Sequence, residues 1–181
     1  MPTWSRIARR IRVPLGFAFA VLYAWLATPS LTSIFLGLLL VIPGLVIRAL
    51  ASGHVRKNEQ LTTSGPYAYT RNPLYLGSLI LALGFVFASR SWWIAGAMLV
   101  IFMAIYVPVI RSEETYLRNQ FPEFDEYARA VPRLVPRLTA SRSAGVSFSK
   151  QLYLKHREYN ASLGAAAVVL LLVGKLLWIP K

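Results

Sequence analysis

Long apolar stretches separated by short basic ones run along most of this chain, and their lengths predict helices that cross a bilayer. Five runs carry the pattern: Val13 to Ala27, Leu31 to Ala51, Leu74 to Ser89, Trp92 to Ile110 and Leu163 to Ile179. About 20 apolar residues in helical form cover the hydrocarbon core, and the first and third runs fall short of that length. The pattern predicts an all-α polytopic membrane bundle of about five transmembrane helices. The third and fourth runs are joined only by the turn around Arg90-Ser91, which makes them a tight helical hairpin with Trp92 and Trp93 at the outer interface.

Punctuation within and between the runs refines this. Residues 1–12 read as a basic amphipathic arm with Trp4 and Ile7 toward lipid. Pro43-Gly44 and Pro108 should each kink a span. After Arg111 the helix should continue to about Gln120, break at Phe121-Pro122, and resume as a short helix, PEFDEYARAV, ended by Pro132 and Pro136. Residues 139–150 read as a linker, and Lys150 to Tyr159 as a surface-lying helix. The chain is one domain: N-terminal helices in 1–53, a core in 54–137, and a linker with the last span in 138–181.

Composition agrees with the pattern. Of 181 residues 56% are hydrophobic and 15% charged, whereas soluble domains carry about a quarter charged residues. A cleavable signal peptide fits poorly, because Ala27-Thr28-Pro29 is a poor cleavage site and the second span follows at once. A net charge of +13 would suggest nucleic acid in a soluble protein, but its distribution explains it otherwise. Seventeen of the twenty basic residues fall before span one, between spans two and three, or between spans four and five. The positive-inside rule makes those segments and the N-terminus cytoplasmic and the C-terminus external. No nucleic-acid partner is expected; anionic lipid headgroups balance the charge. Lys175, inside span five, is expected to snorkel to the outer headgroups. With no cysteine and only His54 and His156, neither a thiolate nor a histidine-rich metal site is expected.

All seven acidic residues lie on the cytoplasmic side. Two of them, Glu113-Glu114, close span four, and charged groups at the mouth of a membrane helix are costly unless they serve something. Adjacent helical residues point about 100° apart, so one glutamate should face a ligand and the other a basic partner such as Arg71 or Arg133; the bland alternative is a solvated helix end. Ahead of span three stands GPYAYTRNPLYLG, Gly65 to Gly77, with three tyrosines and Arg71. Behind span four stands YLRNQFPEFDEYARAVPRLVP, Tyr116 to Pro136.

The order of these blocks, over residues 54–137, resembles the integral-membrane methyltransferases typified by isoprenylcysteine carboxyl methyltransferase and the small phospholipid N-methyltransferases. The resemblance implies S-adenosylmethionine (SAM) as cofactor and a lipophilic acceptor drawn from the membrane. It implies that Arg71, Asn72, Pro73, Tyr75, Glu113 and Glu114 line the site, with Arg71, Tyr75, Glu113 and Glu114 closest to the chemistry. Leu61 and Gly65-Pro66-Tyr67 would wrap the nucleoside, and Tyr127 and Arg133, in the EYxxxVPR element, would close a cytosolic lid over the cofactor. The carboxyl methyltransferases usually have histidine where this chain has Asn72, whereas the phospholipid enzymes carry asparagine in a similar place. A carboxylate acceptor needs no base; a protonated amine needs one, and a Glu or Tyr near the interface is the candidate. His54 is a further residue able to approach the cofactor, and the tyrosines could alternatively form an interfacial belt.

Two other readings compete. Steroid-reductase-like NADPH enzymes share a P-x-Y-x-G element, here Pro73 to Gly77, but two glutamates would repel the cofactor's phosphate. A non-catalytic membrane subunit is the other. The charge asymmetry yields the first test: a reporter that works only in the cytoplasm, fused after Lys181, should be inactive there, and activity at that position would overturn the topology.

Overall fold

The computed structural model describes residues 3–56, 59–141 and 147–178. Lys57, residues 142–146 of the linker and the end at Lys181 lie outside the described residues, as do the side chains of 3–6 and 8–13, Trp4 among them. Seven α-helices and no strand form the described part: α1 (Thr3–Leu26), α2 (Leu31–His54), α3 (Pro73–Ser89), α4 (Trp92–Gln120), α5 (Phe124–Ala130), α6 (Lys150–Lys155) and α7 (Tyr159–Trp178). A 3-10 turn spans Gly65–Ala68. Helices α2, α4 and α7 are long and apolar enough to cross a membrane; α3 and the apolar part of α1, Pro14–Leu26, are shorter. The backbone of α1 is helical from Thr3 through Pro14, so the basic arm and the first apolar run form one helix rather than two elements.

Helices α1, α2, α3, α4 and α7 alternate between two ends of the bundle. At one end the α1–α2 link is stitched to the end of α3, where Thr28 N donates to Ser89 O at 2.8 Å and Ser33 Oγ to Ala88 O at 3.0 Å. Helix α3 stops on Arg90, whose φ of 52° is left-handed; that reversal sends the chain into α4 with one further residue, as the minimal hairpin requires. Trp25, Trp92, Trp93 and Trp178 all stand exposed at this end, forming the aromatic belt of a membrane interface. Between the ends, Phe17, Val21, Phe35, Leu39 and Leu170 face outward, an apolar surface suited to lipid and not to water.

The most extensive helix contact is between α2 and α3. It depends on close backbone approach: a Cβ added to Gly44 would sit 2.7 Å from Leu81 N and 2.8 Å from Gly77 O. At Pro43-Gly44, therefore, the sequence feature that suggested a kink is also a packing surface, and α2 runs through Pro43 unbroken. Pro108 has a clearer local effect. A proline ring crowds the carbonyl four residues back, here Ala104, and that residue lies within a π-helical turn, Phe102–Tyr106, which widens α4 ahead of the proline.

Lys175 departs from expectation. Its ammonium does not snorkel outward but donates to Ala24 O (2.7 Å), Trp25 O (3.1 Å) and Ala27 O (2.6 Å), capping the C-terminus of α1. The last carbonyls of a helix lack intrahelical partners and carry the negative end of its dipole, so a cation from α7 satisfies them inside the bundle. Replacing Lys175 with Met should lower the unfolding midpoint in detergent, by a loss on the order of 1.5–3 kcal/mol for hydrogen bonds to a charged group. An unchanged midpoint would mean that water serves these carbonyls equally well.

Candidate functional site

At the opposite end, four chain segments converge. The first is the turn and N-terminus of α3, set by Gly65, whose φ of +57° is a conformation L side chains rarely adopt. There is no room for one either: a Cβ would meet His54 Nε2 at 2.6 Å. Pro66 is the second residue of the 3-10 turn and buried Pro73 begins α3, each pre-set for its position by a fixed φ. The second segment is α4, whose polar extension to Gln120 carries Glu113 and Glu114. The third, Val131 to Ser141, runs as a strap beside the turn: Arg71 N donates to Pro132 O (2.9 Å), Arg137 N to Tyr69 O (3.0 Å) and Ser141 N to Ala68 O (3.0 Å). The fourth is the α6–α7 junction, where Arg157 adopts a left-handed φ of 52° and turns the chain back into the bundle.

The two glutamates divide. Glu114 is 5% exposed and its carboxylate is surrounded: Arg133 Nε donates to Oε2 at 2.8 Å, Asn72 Nδ2 to Oε1 at 3.2 Å, and Arg71 Nε lies 3.4 Å from Oε1. Asn72 Nδ2 also reaches Arg133 O at 2.9 Å, which ties the strap to α3 directly. Glu113 is exposed and accepts from Tyr75 OH at 2.8 Å. On the far side Tyr127 OH donates to Tyr67 O at 2.8 Å, so α5 closes over the turn.

These groups border a cavity of about 810 Å³, within the range of small-molecule sites. Leu61, Tyr67, Arg71, Asn72, Tyr75, Glu113, Glu114 and Tyr127 all line it. Gly65, Pro66, Pro73 and Arg133 stand behind the wall, shaping the turn, starting α3 and holding Glu114. Leu117, Phe121 and Phe124 add an apolar side, while Tyr106, stacked on Phe102 and edge-on to Tyr75, extends the lining toward the membrane-spanning part of α4. His54 is not in the wall; its Nδ1 donates to Leu50 O at 2.7 Å and its ring packs between Gly65 and Phe148.

Lining residues that escape sequence reasoning include Arg48, His156 and Glu158. Arg48 Nε pairs with Glu158 Oε1 at 2.7 Å, and His156 Nδ1 donates to Ser52 O at 3.0 Å. The available signal was a charged residue in the last turns of one apolar run and an acid at the start of another.

Burial pushes the Tyr67 phenol well above the usual tyrosine range, and the fields of Tyr127, Glu113, Tyr75 and Glu158 add to it. Burial does the same for Tyr127, opposed by Arg71 and reinforced by Glu114. Both phenols therefore stay protonated near neutral pH, and that of Tyr127 donates to the Tyr67 carbonyl. Because their folded-state values are raised, the associated stability persists below the ordinary tyrosine value of about 10 and is lost as pH rises beyond it.

Residues 45–123 match the family model described as phospholipid methyltransferase, and the match takes in the turn, α3 and both glutamates. That match covers less than half of the chain, and it is a likeness of this segment. Similar proteins include a cobalt-zinc-cadmium resistance protein of Cupriavidus metallidurans, 40% identical over 65% of this chain and 54% of its own length. A nickel-cobalt-cadmium resistance protein of Alcaligenes xylosoxydans xylosoxydans is 38% identical over 66% and 55%. A protein-S-isoprenylcysteine O-methyltransferase of Schizosaccharomyces pombe is 25% identical over 74% and 59%. The chain thus spans little more than half the length of the curated relatives it matches. No solved structure matches it.

Proposed function

We propose that this chain transfers a methyl group from SAM to a lipophilic acceptor at the cytosolic face of a membrane, with its N-terminus cytoplasmic and its C-terminus outside. The observation that carries the reading is an unmet hydrogen bond. Arg71 Nε is buried in the cavity wall and has no hydrogen-bond partner among the described residues, although buried polar groups are ordinarily satisfied. A ligand carboxylate supplies the missing acceptor. Glu113 uses one oxygen for Tyr75, and no donor among the described residues reaches the other, which suits the ligand's ammonium. The apolar and aromatic side, Leu61, Tyr67, Phe121, Phe124 and Tyr127, suits a nucleoside. SAM, bound there, provides an electrophilic methyl group on a cationic sulfur. The protein's own contribution is alignment: Arg71 and Glu113 fix the amino-acid end, and Tyr67 and Tyr127 close the cytosolic side. Holding reactants in attack geometry can lower a barrier by about 7–11 kcal/mol. The acceptor enters from the bilayer beside Tyr75 and Tyr106.

Two relatives are named for resistance to nickel, cobalt, zinc or cadmium, and a part in such resistance is a second reading. Here it would run through modification of a membrane component. The chain has no cysteine, and both histidines commit Nδ1 to backbone carbonyls.

S-adenosylhomocysteine should bind the purified protein and raise its unfolding temperature, as any ligand of the folded state must, and NADPH should not. Arg71→Ala should weaken that binding roughly ten- to hundred-fold and Glu113→Gln about ten-fold, since charge-assisted hydrogen bonds are lost. Stabilisation by NADPH alone would favour the reductase reading, and unchanged affinity in both variants would remove Arg71 and Glu113 from the site.

A further inference from the structure

The strap that holds Glu114 contains a tandem repeat. Residues 131–138 read Val-Pro-Arg-Leu twice, and the two copies stand in different surroundings. In the first copy Val131 is buried, the Arg133 side chain pairs with Glu114, and Pro132 O accepts from Arg71 N. Arg133 O accepts from Thr70 Oγ1 and Asn72 Nδ2, and Leu134 O from Thr70 Oγ1. In the second copy Val135 is 75% and Leu138 100% exposed, and the Arg137 guanidinium donates to Ala130 O at 2.7 Å. The groups by which the first copy docks are backbone carbonyls, a valine side chain and an arginine side chain. The second copy repeats each of them at the same spacing, prolines included. The next link has a substitute too: Arg137 N donates to Tyr69 O, and Ser141, four residues on, has an N–H that now donates to neighbouring Ala68 O.

We propose that the strap has two registers four residues apart, and that stepping from the observed register to the second opens the cavity. In the second register Arg137 replaces Arg133 on Glu114, Val135 replaces Val131, Pro136 O receives Arg71 N and Ser141 N donates to Tyr69 O. A buried carboxylate stripped of its cation is strongly disfavoured. Here one arginine succeeds another, so both end states keep Glu114 paired. Discrete steps of one element past another are an established form of switching transition. The shift feeds four residues, at most about 14 Å of chain, into the stretch between α5 and the anchor. The Tyr127–Tyr67 bond and the Arg137 contact with the α5 C-terminus are then given up. Phe124 and Tyr127, which line the cavity, lift away with α5, while the bundle itself stays packed. Access to the cavity changes in this way whatever guest it takes, independently of the methyl-transfer reading.

The chain has no cysteine, so a single cysteine at position 131 or 135 of the full chain in detergent reports the register through its rate of reaction with a water-soluble maleimide. With both arginines present, Val131→Cys should react slowly and Val135→Cys at least about ten-fold faster, as their burial in the observed register requires. Arg133→Gln should drive the strap into the second register and reverse that order. A strap that merely detaches exposes both cysteines, and one that stays in place leaves the order unchanged; any result but the reversal in a folded Arg133→Gln variant overturns the proposal. Arg137→Gln keeps the test decisive should the Arg133 variant fail to fold. It removes the cation of the second register, so Val131→Cys should react several-fold more slowly than with Arg137 present. If Arg137 serves only to cap α5, losing it loosens the strap and the same cysteine reacts faster. A rate that is unchanged or raised by Arg137→Gln therefore overturns the proposal as well.

Discussion

Everything at the cavity end of the bundle is organised around one buried carboxylate. Glu114 lies on a helix that emerges from the membrane, and a buried charge there is tolerable only when opposite charge and hydrogen bonds surround it. Its partners come from two separate pieces of chain, Arg71 and Asn72 ahead of α3 and Arg133 in the strap. Satisfying Glu114 therefore fixes how the α3–α4 hairpin meets the strap. Removing one member of a buried pair costs about 3–5 kcal/mol; Arg133 is half exposed, so the lower end of that range applies. The net contribution of such a cluster to stability is modest, but it specifies a single arrangement.

The consequences pass outward from that point. With Arg133 anchored, residues 132–141 lie against the turn and supply acceptors and donors to Thr70, Arg71, Tyr69 and Ala68. With α5 held by the same strap, Tyr127 reaches the Tyr67 carbonyl and closes the cavity on one side. Because Glu114 is satisfied by the protein, its neighbour Glu113 is the one left at the cavity with an oxygen to spare, and Arg71, pulled toward Glu114 without good alignment, keeps a buried N–H to offer. Two adjacent glutamates thus meet different partners through nothing more than the 100° between neighbouring helical positions.

Much of this was readable in the sequence, and the divide follows the range of the interactions. Apolar runs, the Arg90-Ser91 reversal and the extension of α4 to Gln120 are local, written in consecutive residues. That Glu113 and Glu114 point apart follows from helix geometry, and the matching of Arg71 and Arg133 to Glu114 follows from charge. What escaped notice is long-range and has no periodicity. Arg48 and Glu158 are 110 residues apart, and Lys175 reaches back about 150 residues to cap α1; a lone charge in an apolar run reads the same whether it snorkels or caps another helix. His54 and Gly65 show the reverse case. Each stands in a suggestive block, yet the ring fills the space that the missing Cβ leaves, and the pair shapes the turn from behind the cavity wall.

The measurement that bears most directly on methyl transfer is the fate of a radiolabelled methyl group supplied as SAM to membranes containing this chain together with a total lipid extract. Label should appear in an organic-extractable lipid, and it should be lost when Arg71 is replaced by Ala while the protein remains folded. Membranes that bind S-adenosylhomocysteine yet leave every lipid fraction unlabelled, or labelling that persists without Arg71, would contradict it.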